Sequence, residues 1–177
     1  MVVTRSAAIR LPARRTLGAM DLRERLHVTA VDHVGIAVPD LDAAIAFQTE
    51  VLGGVLEHRE TNTTQGVEEA MITFGGTGPD RARLQLLAPL TADSAIGRFL
   101  DRSGPGLQQL ALRVPDVRVA ADTVRAAGLR VLFDEPADGT GGSLVNFIHP
   151  KDAGGVLVEL VQSRSPDCTS RDGSMGT

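Results

Sequence analysis

Four polar side chains lie in or beside aliphatic runs of this chain, and their types are those that can hold a divalent cation together. They are His33, Gln85, Gln109 and Glu159. A lone carboxylate such as Glu159, between Val158 and Leu160, is costly to bury without a cation or hydrogen-bond donors. Amide and carboxylate oxygens suit hard or borderline ions such as Mn, Co, Mg or Zn. The residue types therefore indicate a metal site if the four side chains converge.

Each of these residues also has an ordinary structural explanation. A single histidine on a strand, such as His33, is more often a hydrogen-bonded core residue than a metal ligand. Glu159 could face solvent by strand alternation, although the same alternation puts Leu157 on its face. Residue type alone leaves both explanations open.

An internal repeat favours convergence. Val-Pro-Asp occurs at residues 38–40 and again at 114–116, each time after an apolar run and before an alanine-rich stretch that ends at a glycine. A chance tripeptide match is the alternative, but the helix, the glycine and the next strand agree as well. Superposing the two copies matches the four polar positions in pairs, so a duplicated fold would bring them together.

The repeat predicts an α+β fold of two tandem βαβββ modules whose sheets curve into a half-open barrel, because one such module cannot bury both faces of its sheet. The single domain spans 27–163, with modules at about 27–90 and 106–163 and a linker helix at about 94–103. Periodicity predicts strands at 28–38, 55–60, 68–74 and 83–87 and a helix at 41–52 in the first module. In the second it predicts strands at 107–114, 130–133, 144–148 and 156–162, a helix at 117–127 and a glycine-rich turn at 139–143.

Composition excludes several classes of function. The net charge of −4, with five Phe and no Trp or Tyr, argues against a nucleic-acid partner. No apolar run approaches the roughly 20 residues that a membrane-spanning helix needs. The single cysteine, Cys168, lies in a polar segment, so we expect no disulfide framework, no thiolate metal site and a reducing compartment.

The two ends of the chain are predicted to lie outside the domain. Residues 1–20 are rich in arginine and contain no acid, which fits a flexible extension, an upstream start before Met20 or a mitochondrial transit peptide. We expect residues 1–26 to be a flexible extension and residues 164–177 to be a disordered tail. Arginine strongly outnumbers lysine, which favours a bacterial source. The predicted location is the bacterial cytoplasm, or the mitochondrial matrix if residues 1–20 are a transit peptide.

Several segments, taken in order, resemble the methylmalonyl-CoA epimerase family of the vicinal oxygen chelate superfamily. The resemblance covers the chain from Val31 to Gln162. It is carried by residues 32–40, 65–69, 84–90, 134–142, 146–152 and 155–160. It implies the paired βαβββ fold and an isomerase that removes and returns the α proton of a 2-substituted malonyl-CoA. An acyl-CoA or related thioester is therefore the expected partner, and we also expect a homodimer.

The resemblance also implies roles for individual residues. The family holds a divalent metal with His, Gln, His and Glu, and this chain has His33, Gln85, Gln109 and Glu159 at those positions. Gln109 departs from the family, and an amide oxygen is a weaker donor to borderline metals than imidazole. The metal would stabilise the enolate as a Lewis acid, while Glu69 and Glu159 exchange the proton from opposite faces.

Two points stay open at this level. Asn146, His149 and Lys151 are weaker candidates for contact with substrate or CoA, since a plain turn explains them equally well. The replacement at Gln109 could also mark another isomerase, a decarboxylase or a cyclase acting on a related acyl thioester or polyketide-type substrate. A metal-free small-molecule binding protein is the remaining alternative, although such proteins usually line their cleft with aromatic side chains.

Overall fold

The computed structural model describes residues 22–75 and 81–163, which form two βαβββ modules in one sheet. The first module contains β1 (Ala30–Ala37), α2 (Leu41–Ala46), β2 (Val55–Asn62), β3 (Val67–Phe74) and β4 (Ala82–Pro89). The second contains β5 (Gly106–Arg113), α4 (Val117–Ala126), β6 (Ala137–Asp138), β7 (Leu144–Ile148) and β8 (Leu157–Gln162). Helix α1 (Leu22–Leu26) precedes them and α3 (Ala95–Ser103) joins them. The predicted fold class is confirmed, and α3 lies within the range predicted for the linker helix.

The two modules join edge to edge through their first strands. The eight strands lie in the order β2-β3-β4-β1-β5-β8-β7-β6. β1 pairs in parallel with β4, β5 pairs in parallel with β8, and β1 and β5 are antiparallel to each other. The centre of the sheet is therefore the seam between the modules, and equivalent strands of the two copies flank it.

The repeated Val-Pro-Asp turns a strand into a helix in both modules. Asp40 caps α2 by accepting a hydrogen bond from the Ala43 N–H, and Asp116 caps α4 by accepting from the Arg118 and Val119 N–H groups. α2 is only six residues long and continues as one π-helical turn, Phe47–Val51, so the predicted helix 41–52 is real but irregular. Each cap starts a helix that packs on the outer face of the sheet.

Alternation along the strands separates two faces. On the outer face, one apolar cluster packs under α2 around Leu41, Ile72 and Leu86, and a second packs under α4 around Val117, Val124 and Leu160. The concave face carries a different set of residues, and the linker helix α3 covers part of it through Ile96. The outer face is therefore mainly apolar, whereas the concave face combines apolar clusters with polar groups.

The structure corrects the predicted strand at 130–133. That segment makes only an isolated bridge, Val131 to Ile148, and the strand that joins the sheet is the two-residue β6. The Arg125 side chain of α4 binds the Phe133 and Asp134 carbonyl oxygens, so these acceptors face a side chain instead of a neighbouring strand. Pro136 follows and has no N–H to donate.

The predicted extension also needs a correction. Residues 22–26 form α1, and Leu26 packs against the apolar cluster under α4, so this part of the predicted flexible extension 1–26 belongs to the domain. The predicted transit peptide at 1–20 and the predicted tail at 164–177 lie outside the described residues. In the parts of the chain that are described, no helix is long and apolar enough to cross a membrane.

Candidate active site

The concave face holds a cavity of about 480 Å³ at the seam between the modules. Its walls come from both modules and from α3. The polar side chains at its base are Glu69, Gln85, Gln109 and Glu159.

Sheet register explains why the predicted positions meet here. Gly35 of β1 lies opposite Gln85 of β4 on one side and opposite Gln109 of β5 on the other. In the next row, Ala111 lies opposite both His33 and Glu159. Directly opposed residues point to the same face, and so do residues two apart on one strand. All four predicted ligand positions therefore point to the concave face and are buried, Gln85, Gln109 and Glu159 line the cavity, and His33 lies beside Glu159.

A chain of hydrogen bonds connects the polar groups at the cavity base. The Gln109 Nε2 donates to Glu159 Oε2 at 2.7 Å and to Gln85 Oε1 at 3.0 Å. The Gln85 Nε2 in turn donates to Glu69 Oε2 at 2.7 Å. The two predicted acid/base carboxylates are thus linked through two glutamine amides.

His33 completes the other end of this chain. Its Nδ1 lies 3.0 Å from Asp32 Oδ1, and its Nε2 lies 3.3 Å from Glu159 Oε2 without forming a hydrogen bond. Burial alone would lower the pKa of His33, but the hydrogen bond with Asp32 and the nearby Glu159 carboxylate outweigh burial and raise it to about 9. Two carboxylates therefore make this corner of the cavity favourable for positive charge.

Asp32 is itself held from two sides. The Arg113 Nε donates to Asp32 Oδ2 at 3.0 Å, and the Arg83 Nη1 donates to Asp32 Oδ1 at 3.3 Å. Burial alone would raise the pKa of Asp32, but hydrogen bonds from His33 and Arg113 outweigh it and lower the pKa to about 2. The ionised Asp32 holds a proton on His33 Nδ1, so the Nε2 proton is the one that a bound cation would replace.

These side chains fit a divalent cation in their donor types. The unpartnered Nε2 of His33 lies beside the Glu159 carboxylate, and the Gln109 Nε2 bridges that carboxylate and the Gln85 Oε1, so all three groups are suitable donors. Gln109 presents its Nε2 there, so its amide would have to turn over to offer an oxygen. Among residues 22–75 and 81–163, no three His, Cys, Asp or Glu side chains form a metal cluster, because two of the four positions are amides.

Glu69, at the far end of the hydrogen-bonded chain from Glu159, has a raised pKa. It accepts hydrogen bonds from Gln85 and, at 2.7 Å, from the Thr140 hydroxyl. Burial raises its pKa, an interaction with Glu60 raises it further, and the Thr140 hydroxyl partly offsets both, so that the pKa stands at about 7. A carboxyl group with a pKa near neutrality can both accept and return a proton.

Sequence reasoning missed Thr140 and Glu60. The predicted glycine-rich turn is present as a 3-10 turn, Thr140–Gly142, but its place against Glu69 in the other module was not foreseen. Glu60 lies directly opposite Glu69 in the β2–β3 hairpin and is bonded to His58 at 2.7 Å. The register of the β2–β3 hairpin could have predicted that Glu60 lies beside Glu69. Thr140 comes from the other module, so no local pattern predicts its contact with Glu69.

The three weaker substrate-binding candidates do not line the cavity. Asn146 is fully buried on the other face of β7, where its amide holds the backbone N–H and carbonyl of Phe133. The His149 ring caps a short 3-10 turn by accepting a hydrogen bond from the Lys151 N–H, and the Lys151 side chain is exposed. Their positions do not support the expected contact with substrate, because one is a structural amide and the others form a plain turn.

The exposed lining of the cavity is partly apolar and partly polar. Leu132 and Phe133 are each about two-fifths exposed and line it, and the Phe133 ring packs edge-on against Phe147 at 5.6 Å between ring centroids. Thr64, Gln65 and Asp138 are exposed polar residues that line it as well.

Comparison with known proteins agrees with this architecture. A model of the glyoxalase/bleomycin resistance protein/dioxygenase superfamily matches residues 32–147. Human mitochondrial methylmalonyl-CoA epimerase is 36% identical over 134 residues, which cover 75% of this chain and 73% of that protein. The crystal structure of methylmalonyl-CoA epimerase from Mycobacterium tuberculosis has a TM-score of 0.73 at 48% identity and is matched over 78% of this chain and 90% of that one.

A methylmalonyl-CoA epimerase solved in complex with methylmalonyl-CoA and NH4+ has the same TM-score of 0.73 at 44% identity, with 77% of this chain and 95% of that chain covered. These likenesses span nearly all of the described domain. The chain therefore belongs to the glyoxalase/bleomycin resistance protein/dioxygenase superfamily and, within it, to the methylmalonyl-CoA epimerase family of isomerases.

Proposed function

We propose that the protein inverts the α carbon of a 2-substituted malonyl-CoA of the methylmalonyl-CoA type. The observation that carries the proposal is the pair of buried carboxylates, Glu69 and Glu159, on either side of one cavity and linked through Gln85 and Gln109. Two such groups allow a proton to be removed from one face of a carbon and another to be returned to the opposite face. The solved complex of a related epimerase with methylmalonyl-CoA supports this choice of substrate.

The mechanism follows from the different surroundings of the two carboxylates. One carboxylate takes the α proton, the electron pair of the C–H bond moves into an enolate, and the other carboxylate returns a proton to the opposite face. Glu69 is suited to both directions, because its pKa of about 7 leaves it partly protonated near neutral pH. Burial keeps bulk water away from the enolate and strengthens each electrostatic contact.

We propose that His33, Gln85, Gln109 and Glu159 would hold a divalent metal such as Co, Mn, Mg or Zn. Bound there, the ion would supply a Lewis acid for the negative charge that develops on the enolate. The unpartnered Nε2 of His33 beside Glu159 supports this assignment. The amide at Gln109 provides a weaker ligand than the imidazole that the family resemblance implies.

Exposed apolar groups at the edge of the first module support a homodimer. They are Phe47, Val51, Leu52, Val55 and Leu56. Contiguous exposed apolar groups of this kind are typical of an association surface. We propose a second copy as the partner and the bacterial cytoplasm as the location. Sedimentation of the wild type and of Phe47→Glu tests the first part, since a dimer through this surface should dissociate in the variant.

The decisive experiment follows the α proton of one pure epimer of methylmalonyl-CoA in deuterated water by NMR. We expect deuterium to enter at the α carbon as the opposite epimer appears. Parallel reactions with bulkier 2-substituted malonyl thioesters define the acyl group that the cavity accepts. Loss of CO2 without inversion would indicate a decarboxylase, and the absence of exchange with every 2-substituted malonyl-CoA tested would refute the proposal.

A further inference from the structure

The amide of Gln109 lies where two acceptors face each other. Its Nε2 is 2.7 Å from Glu159 Oε2 and 3.0 Å from Gln85 Oε1. Both distances are those of good hydrogen bonds, and both partners are buried. One NH2 group therefore satisfies a buried carboxylate and a buried carbonyl oxygen at the same time.

The surrounding network dictates which end of this amide points inward. The Gln85 Nε2 is engaged by Glu69 and by the Thr140 oxygen, so the Gln85 Oε1 is left facing Gln109. The Glu159 Oε2 on the other side is likewise an acceptor for Gln109. If the Gln109 oxygen pointed inward without a cation, it would face two acceptors and no donor. The nitrogen-inward orientation follows from the partners of the amide.

Gly35 gives the Gln109 side chain the space to reach both partners. A Cβ added at Gly35 would lie 2.5 Å from Gln109 Cγ and 3.2 Å from its Cδ. Gly35 lies between Gln85 and Gln109 in the same row of the sheet, so the Gln109 side chain crosses β1 where there is no side chain in its way. Any larger residue at position 35 would displace it.

We propose that Gln109 has two working positions: its NH2 group takes the place of a cation between Glu159 and Gln85, and a divalent ion binds by turning the amide so that its oxygen replaces the nitrogen. The inference rests on the proposed metal site and adds how this chain regulates it. The acceptors of Glu159 and Gln85 therefore have a partner with or without an ion. Metal binding must break the two hydrogen bonds that Gln109 donates to them. A side chain at position 109 that cannot donate a hydrogen bond would not compete with the metal ion for Glu159 and Gln85.

The test compares Gln109→Glu with wild type and with Gln48→Glu, which makes the same charge change on the π-helical turn after α2. Freed of metal by chelation, Gln109→Glu should unfold about 3 °C or more below both, because it cannot donate to Glu159 or Gln85. Zn2+ should then raise its unfolding temperature more than that of the wild type. Equal stability of the three metal-free proteins would overturn the inference.

A second measurement uses the wild-type protein, so it does not depend on folding of a variant. The side-chain NH2 signals of Gln109, identified in 15N–1H spectra by their loss in Gln109→Met, should shift as Zn2+ or Mg2+ saturates the site. Metal binding that leaves these signals in place would overturn the inference and keep the proposed metal site. Failure of the wild type, Gln109→Glu and Gln109→His alike to bind either metal would overturn both.

Discussion

The two modules agree in their first strand and helix but differ in the strands that follow. In module one, β2 is a full eight-residue strand, Val55–Asn62. In module two the equivalent chain makes a bridge at Val131 and the two-residue β6, and then continues into the turn that carries Thr140. The shared elements place the polar positions in matched rows, whereas the divergent ones bring Thr140 to a carboxylate of the other module.

This difference makes the two carboxylates chemically unequal. Glu69 accepts hydrogen bonds from the Thr140 hydroxyl and the Gln85 amide. Burial and the neighbouring acid Glu60 raise the pKa of Glu69, and the Thr140 hydroxyl partly offsets them. Glu159 is approached by His33 and Gln109, the groups that also form the proposed metal site. We therefore expect Glu159 to serve both as ligand and as acid/base group, and Glu69 to serve in proton transfer alone.

The largest effect is expected for Glu159→Gln. It removes the only carboxylate of the proposed ligand set, so metal content and activity should fall together, with activity lower by roughly ten-thousandfold. Elemental analysis and the proton-exchange assay measure the two quantities. Glu68→Gln is the control, because Glu68 points outward to Arg59. Retained metal in an inactive Glu159→Gln protein would remove Glu159 from the ligand set.

Glu69→Gln should separate inversion from metal binding. Metal content should remain, while inversion falls by about a hundred- to ten-thousandfold, because transfer to one face is lost. One epimer should still exchange its α proton with deuterated water faster than the other, through the remaining carboxylate. Full activity of this variant on an accepted substrate would contradict the two-base mechanism.

Gln109→His should make the second module match the ligand that the family resemblance implies. Imidazole is the better donor to borderline metals, so the affinity for Co or Mn should increase by about tenfold, and turnover should increase with it. Calorimetric titration of both proteins measures the change. Equal affinities would mean that Gln109 does not reach the metal, and tighter binding without epimerase activity would favour a different reaction on the same scaffold.

The smallest effect, on pH dependence, is expected for Thr140→Val. The Thr140 hydroxyl lowers the pKa of Glu69, so its removal should raise that pKa further above its ordinary value. A base must be ionised to act, so the rising limb of kcat/KM against pH should move from near pH 7 to higher pH, and activity at pH 7 should fall by about three- to tenfold. Thr140→Ser keeps the hydroxyl and should keep the profile. Identical profiles for Val and Ser would show that the hydroxyl does not act on Glu69.

The convergence of the four positions could be predicted because it depends on features that are local in sequence. Two-residue alternation sets the face, and the repeat aligns the rows across the seam. The strand 144–148 was also predictable, and the same alternation would have separated Asn146 from Phe147, which lines the cavity.

The parts that escaped prediction depend on contacts between distant segments. The strand expected at 130–133 is displaced because Arg125 binds the carbonyls of Phe133 and Asp134, and no local pattern encodes that competition. The contact of Thr140 with Glu69 joins the two modules. The orientation of the Gln109 amide depends on partners contributed by β4 and β8.

The antiparallel seam between β1 and β5 has a consequence for how such a site can evolve. His33, Gln85 and Glu69 are inherited with the first copy, and Gln109, Glu159 and Thr140 with the second. Neither copy encodes a whole site. A substitution in one copy therefore changes half of the site and leaves the residues of the other copy unchanged. A single substitution in the second copy, for example at position 109, would change the affinity of the proposed metal site while the first copy keeps Glu69 and its pKa of about 7.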